Sequence, residues 1–262
     1  MRVPWAAYIN HIMKFLLALA LALSLAFTGS AADQEKRFFE LRIYTAAPDK
    51  LDGLLARFRD HTVKLFAKHG MENIGYWVPV DNKENKLYYV LAYPSREARD
   101  QSWKEFGADP DWKAAQKASE ANGRLVTKAD SIFLAPTDYS PMVKALTGGS
   151  HLYEFREYTA TPGKLANLNS RFRDHTTALF SKHGMINFGY WTPTEAKNGA
   201  GEKLVYFVAH KDAAAAAASW KGFVGDADWV KAKAASETDG PLTTKDGVKS
   251  TMMVPTDFSP SK

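Results

Sequence analysis

Residues Phe39 to Thr45 alternate apolar and polar side chains, the two-residue period of a strand with one buried face. After Pro48 the period changes. Leu51, Leu54, Leu55, Phe58, Leu65 and Phe66 fall at helical spacings and predict a single apolar face, ended at Gly70 by a left-handed cap. Ile74 to Val78 predicts a second strand, stopped at Pro79. The polar run Asp81-Asn82-Lys83-Glu84-Asn85 reads as a hairpin loop, and Leu87 to Tyr93 as a third strand. Ser95 to Phe106 is helical again, with Ser95 as N-cap. Asp109-Pro110-Asp111-Trp112 restarts a helix with a cap and a proline in its first turn, running to Gly123, and Ser131 to Leu134 closes as a fourth strand.

The same pattern then repeats. Glu40-Leu41-Arg42-Ile43-Tyr44-Thr45-Ala46 returns 114 residues later as Glu154-Phe155-Arg156-Glu157-Tyr158-Thr159-Ala160. Arg57-Phe58-Arg59-Asp60-His61-Thr62 returns as Arg171-Phe172-Arg173-Asp174-His175-Thr176, and Gly75-Tyr76-Trp77 as Gly189-Tyr190-Trp191. Roughly two-thirds of positions over that span are identical, far above chance. Three extra residues in the second hairpin loop then shift the offset to 117, as Ser102-Trp103 against Ser219-Trp220 shows. Pro136-Thr137-Asp138-Tyr139-Ser140-Pro141 is echoed by Pro255-Thr256-Asp257-Phe258-Ser259-Pro260 at the end of the second copy.

Strand, helix, strand, strand, helix, strand is the order of a ferredoxin-like unit. The expected fold class is therefore α+β, with one unit over residues 38–136, a linker over 137–150 and a second unit over 151–257. A four-stranded antiparallel sheet covered by helices on one side leaves its other side bare. Two such sheets in one chain can cover each other, which predicts an intramolecular pseudo-dimeric α+β barrel. On the first strand Leu41 and Ile43 form one side, and Glu40, Arg42 and Tyr44 the other. The second copy keeps Glu154, Arg156 and Tyr158 but replaces Ile43 by Glu157. The better-kept Glu-Arg-Tyr side is expected to face the barrel interior.

Composition changes this picture mainly at the N-terminus. Lys14, the apolar run Phe15 to Phe27 and the small residues Gly29-Ser30-Ala31-Ala32 follow the order of a signal peptide over residues 1–32. The run is shorter than the roughly 20 residues of a comfortable membrane span, so a retained anchor is the lesser reading. Met13 is an alternative start. The expectation is an exported protein, periplasmic or secreted, with no membrane association after signal removal. Loss of Arg2 and Lys14 lowers the formal charge from +5 to +3, and the basic residues are not clustered, so no nucleic-acid footprint is indicated. The chain has no cysteine, which excludes disulfides, thiol catalysis and zinc-thiolate sites.

These motifs resemble the NIPSNAP family of dimeric α+β barrel proteins. The carriers are the Glu-Leu-Arg-Ile-Tyr strand, Pro48-Asp49-Lys50-Leu51 with Pro162-Gly163-Lys164-Leu165, and the helix end Lys68-His69-Gly70-Met71. Gly75-Tyr76-Trp77, Trp103-Lys104-Glu105-Phe106 and Asp109-Pro110-Asp111-Trp112 add to them. The resemblance covers nearly all of the chain after the signal segment and implies two units closing one barrel. It implies no defined activity, since such proteins are mostly described through trafficking and mitochondrial roles. Asp49 in place of the glycine at Gly163, and Ala227 in place of Pro110, are departures confined to turns.

Candidate chemistry is sparse. Phosphate loops, nucleophile elbows, paired glycosidase carboxylates and metal-binding helix motifs are absent from the sequence, so neither a metal nor a cofactor is indicated. The candidate ligand-binding set is Arg42, Tyr44, His61, His69, Trp77 and Tyr89, with Arg156, Tyr158, His175, His183, Trp191 and Tyr206 as counterparts. His61 and His175 sit one step off the apolar stripe, where an imidazole can move a proton or meet a carboxylate; a boundary packing role competes with this. His69 and His183 precede a glycine cap and can serve the helix end alone. Arg42 and Arg156 can receive an anion or pair with Glu40 and Glu154. The tryptophans and tyrosines can wall an apolar cavity or fill a core. The leading expectation is an exported protein binding a small, partly apolar or anionic molecule in pockets between sheet and helices, one in each half. Alternatives are a cofactor-independent or haem-using monooxygenase-like enzyme, by fold analogy, and a protein-interaction module without a ligand. Higher oligomers of the pseudo-dimer are left open.

Overall fold

The computed structural model describes residues 37–262, so the candidate signal segment and both candidate start residues lie outside the described residues. The first half runs β1 (Phe38–Ala46), α1 (Leu51–Arg57), a π turn (Phe58–Thr62), α2 (Val63–Lys68), β2 (Glu72–Pro79), β3 (Lys86–Tyr93), α3 (Arg96–Ala108), α4 (Pro110–Ser119) and β4 (Val126–Pro136). The second half repeats it: β5 (Leu152–Ala160), α5 (Leu165–Arg171), a π turn (Phe172–Thr176), α6 (Thr177–Lys182), β6 (Ile186–Pro193), β7 (Lys203–His210), α7 (Ala213–Val224), α8 (Ala227–Ser236) and β8 (Thr243–Pro255). A short 3-10 turn, Ala196–Asn198, occupies the longer second hairpin loop.

Local chemistry explains the element ends. Ser95 Oγ accepts from the Ala98 N–H, and Asp109 Oδ1 accepts from the Asp111 N–H one residue after Pro110, so both predicted caps close the first turn of their helices. Gly70 takes φ +74° after α2, the left-handed value a side chain resists. Asp49 adopts φ 59° where the second copy has Gly163 at 80°; an aspartate tolerates that region better than most residues.

The eight strands close into one barrel in the order β1-β3-β2-β8-β5-β7-β6-β4, every neighbour antiparallel. Within each half the pairing is the ferredoxin-like 4-1-3-2. The halves join through short ladders, Trp77–Pro255 to Pro79–Met253 and Leu134–Pro193 to Pro136–Trp191. Closure removes the sheet edges that two separate units would expose.

The barrel interior is apolar and buried. Phe39, Leu41, Trp77, Val90, Tyr153, Phe155, Trp191 and Phe207 fill it. Gly75 and Gly189 lie directly beneath the Trp77 and Trp191 rings, where a β-carbon would overlap the indole. This corrects the expectation from the first strand. Leu41 and Ile43 point into the barrel, whereas Glu40, Arg42 and Tyr44 point outward, under the helices. A buried carboxylate needs donors around it, and the amphipathic helix layer supplies them while the apolar barrel cannot.

Residues 137–150, expected as a linker, are tied to the barrel. Val143 is fully buried in the interior cluster, with Leu146 packed against it. Tyr139 stacks on Phe172 of the other half, and the Ser140 Oγ accepts from the Tyr190 N–H. The chain end mirrors this: Phe258 stacks on Phe58, and Ser259 Oγ accepts from Tyr76 N–H. Each repeat thus ends on its partner half, in the manner of exchanged segments.

Candidate functional site

Between each sheet and its helices lies a layer built from β1, β2 and β3 (or β5, β6 and β7) and the broken first helix. The break matters. Val63 N–H bonds Phe58 C=O five residues back, and Thr62 Oγ1 donates to Arg57 C=O. This π turn inserts extra arc into the helix, so Phe58, Thr62 and Phe66 all face the sheet; such bulges recur at functional sites. The second half repeats it, with Thr176 donating to Arg171 C=O.

Inside the layer, Glu40 is completely buried and fully satisfied. It accepts from Arg42 Nη1 (2.6 Å), Arg99 Nε (2.9 Å) and Nη2 (2.8 Å), Trp103 Nε1 (3.0 Å), Tyr93 OH (3.1 Å) and Ser131 Oγ (2.6 Å). Burial alone would raise its pKa. The hydrogen bonds from Arg99, the charge of Arg42 and the Ser131 bond outweigh burial and hold it at about 2. The Arg42 guanidinium lies 4.3 Å over the Trp103 ring and donates to Tyr44 OH (3.2 Å). The Glu154 site keeps Arg156, Trp220 Nε1 (2.6 Å) and Ser250 as donors, but His210 Nε2 (3.1 Å) stands where Tyr93 does, and Ala216 takes the place of Arg99.

Beside this network the first half opens a cavity of about 370 Å³. Tyr44, Phe58, Phe66, Trp103, Phe106 and Trp112 form its aromatic wall. Arg57, only 5% exposed, closes one end, its Nη1 3.0 Å from Glu120 Oε1 and its guanidinium 5.2 Å from the Trp112 ring. Exposed Arg124 and Lys128 stand at the rim. The pseudo-equivalent cavity of the second half measures about 140 Å³, lined by Tyr158, Arg171, Phe172, Trp229 and Glu237 among others.

Of the sequence candidates, Tyr44 and Tyr158 line these cavities. Arg42 and Arg156 lie behind them, engaged by Glu40 and Glu154. Tyr89 and Tyr206 are wholly buried in the aromatic layer; burial pushes both hydroxyls well above their usual range. Trp77 and Trp191 are on the opposite face of the sheet, inside the barrel, so the structure does not bring them together with the tyrosines. His61 and His175 are exposed and line neither cavity: the π turn carries Thr62 and Thr176 to the inner face in their place. His69 Nε2 donates to Asp109 Oδ2 (2.7 Å), tying the end of α2 to the cap of α4, and His183 does the same with Asp226. Hydrogen bonds from Lys68 and then His69 hold the Asp109 carboxyl far below the usual range. That is a structural tie.

Sequence reasoning missed Arg57, Trp112 and Glu120 as cavity residues. Arg57 and Trp112 were legible as repeated motif positions, but their meeting depends on the tertiary approach of α1 and α4. Among the described residues no group of three or more His, Cys, Asp or Glu is placed to hold a metal ion, and no helix is long and apolar enough to cross a membrane.

A family model described as NIPSNAP matches residues 39–141 and again 153–260. The chain belongs to the NIPSNAP family. Among solved structures it is similar to a proposed monooxygenase from Lactobacillus acidophilus NCFM, with TM-score 0.57 and 14% identity over 84% of this chain and 94% of that one. A proposed monooxygenase from Fusobacterium nucleatum gives TM-score 0.56 and 12% identity over 84% and 92%. An anthrone oxidase-like protein gives TM-score 0.56 and 13% identity over 89% and 96%. At such identities these likenesses establish the shared fold alone. No curated protein matches the chain.

Proposed function

We propose that this NIPSNAP-family chain binds a small aromatic or otherwise apolar molecule carrying an anionic group, between sheet and helices. The observation that carries the reading is the first-half cavity, with six aromatic side chains for walls and Arg124 and Lys128 at its rim. Aromatic walls favour a flat apolar body, and the rim cations favour an anionic end left near water. The buried Arg57 is already matched by Glu120, and Lys128 lies 2.8 Å from Asp130 in an exposed pair that solvent screens. The anion is therefore assigned to the rim, with Arg124 as its leading partner. Titration with 1-anilinonaphthalene-8-sulfonate, an aromatic anion, should give saturable binding that weakens with added salt and in the Arg124→Gln/Lys128→Gln variant. No saturable binding would remove the pocket reading; indifference to salt and to the variant would remove its anionic part.

A monooxygenase-type enzyme is the second reading, supported by the names of the three similar structures. Of its two forms the cofactor-independent one suits the cavity better, because the lining residues include no histidine, cysteine or methionine to serve as a haem ligand and the lining tyrosine, Tyr44, is already bonded by Arg42. Oxygen consumption on addition of an anthrone-type phenolic substrate tests it, and its absence counts against it. We further propose export, on the order of charges and apolar residues in segment 1–32. Fractionation with N-terminal sequencing should find a chain beginning near Asp33 outside the cytoplasm; a cytoplasmic chain with an intact N-terminus would contradict this.

A further inference from the structure

The two halves repeat each other in topology, in the π turn and in the arginine–glutamate pair, yet their cavities differ from about 370 to about 140 Å³. Small-molecule pockets usually run from about 300 to 1,000 Å³, so only the first is of working size. The cause is found position by position. Tyr44 pairs with Ala129 on β4, whereas Tyr158 pairs with Val248 on β8, so two extra methyl groups stand at the second cavity. Gln116 of α4 becomes Lys233 of α8, a longer side chain that lines the second cavity with Nζ 2.7 Å from Glu237 Oε2. The rim changes too. Arg124 is replaced by Pro241, and β8 is two residues longer than β4, with Gly247 beside Val248 in the irregular stretch where β4 offers Lys128.

Resting on the ligand reading above, we propose that the chain takes one anionic aromatic ligand, in the first half. Ala129, with Gln116, sets that specificity, and Val248 with Lys233 closes the second half. The pseudo-dimer is functionally asymmetric: one half binds and the other completes the barrel. Duplication allows this, because a chain carrying both halves can lose one pocket without losing the other, which two identical subunits cannot do.

The stoichiometry of 1-anilinonaphthalene-8-sulfonate, measured by calorimetry on the mature protein, tests it. Wild type should bind one equivalent. Ala129→Leu, at an exposed strand position, should weaken binding at least about tenfold, the discrimination that added methylenes give in an apolar pocket. Val248→Ala with Lys233→Gln should add a second equivalent. Two equivalents in wild type, unchanged binding in Ala129→Leu, or no gain in the double variant would overturn the asymmetry while leaving the ligand reading in place. No binding by any of the four proteins would instead fell the ligand reading itself. Val248→Ala alone, at a 44% exposed site, gives a milder substitution on which a partial gain should already be seen.

Discussion

Glu40 and Glu154 hold the same place in the two halves but reach saturation by different means. Around Glu40, two arginines, a tyrosine, a tryptophan and a serine donate; around Glu154, one arginine, a histidine, a tryptophan and a serine suffice. The carboxylate, its arginine two residues on, the tryptophan and the serine are common to both sites. The arginine on the covering helix is not, since Ala216 stands in its place among the alanines of α7. What the fold needs at this point is thus a fully bonded anion beneath the helices. Which groups bond it is negotiable, provided no lone pair is left dry.

The largest expected effect comes from removing the anion. Glu40→Ala leaves Arg42 and Arg99 packed beside an empty acceptor site, and loss of one member of a buried ionic group costs about 3–5 kcal/mol. Glu154→Ala strands only one arginine, Arg156, where Glu40→Ala strands two, so the loss there should be smaller. Chemical denaturation of the two variants measures the difference. Equal losses would mean that the extra arginine contributes nothing to the first site.

Arg99→Ala comes next. It deletes a two-point bond to Glu40, and a hydrogen bond to a charged group is worth about 1.5–3 kcal/mol. Adding Tyr93→His rebuilds the donor set of the second half on the first. The double variant should recover part of the loss, read as a non-additive term in a double-mutant cycle. Strict additivity would show that the two sites are not interchangeable solutions to one problem.

The barrel was readable from the repeat, because the 114-residue offset and the strand-helix order leave two bare sheets with one way to cover each other. The direction of β1 was not. Alternation separates Glu40, Arg42 and Tyr44 from Leu41 and Ile43, but it does not say which set meets helices and which meets the other sheet. Closer keeping of the Glu-Arg-Tyr side reflected the buried network, whereas Ile43 and Glu157 are only half-buried and tolerate exchange. His61 was misplaced for a different reason. Counting at 100° per residue assumes an unbroken helix, and the π turn from Phe58 shifts every later side chain around the axis. Tyr44 was reachable from its repeated strand motif, while Arg57 and Glu120 meet only through a long-range approach that periodicity does not encode.

The smallest effect is a pH dependence that the two sites share. Both carboxyls are held at about 2 in the folded protein against an ordinary 4.5, Glu40 first by its Arg99 bonds and Glu154 first by its His210 bond, each against burial. A depressed folded pKa means that the unfolded chain binds the proton more readily. The stabilisation is therefore fully present above pH 4.5 and fades as pH falls toward 2. Between about pH 5 and 3 each site should lose about 1–2 kcal/mol. Arg99 stays charged throughout that range, so the loss at the first site follows protonation of Glu40 itself. Glu40→Gln should flatten the acid limb of stability by the share of the first site, and Glu154→Gln by that of the second. The pair of variants together should leave a limb set by the remaining carboxylates, Asp109 and Asp226 among them. An acid limb identical to wild type in both single variants would show that neither carboxyl is bound as tightly as its donors imply.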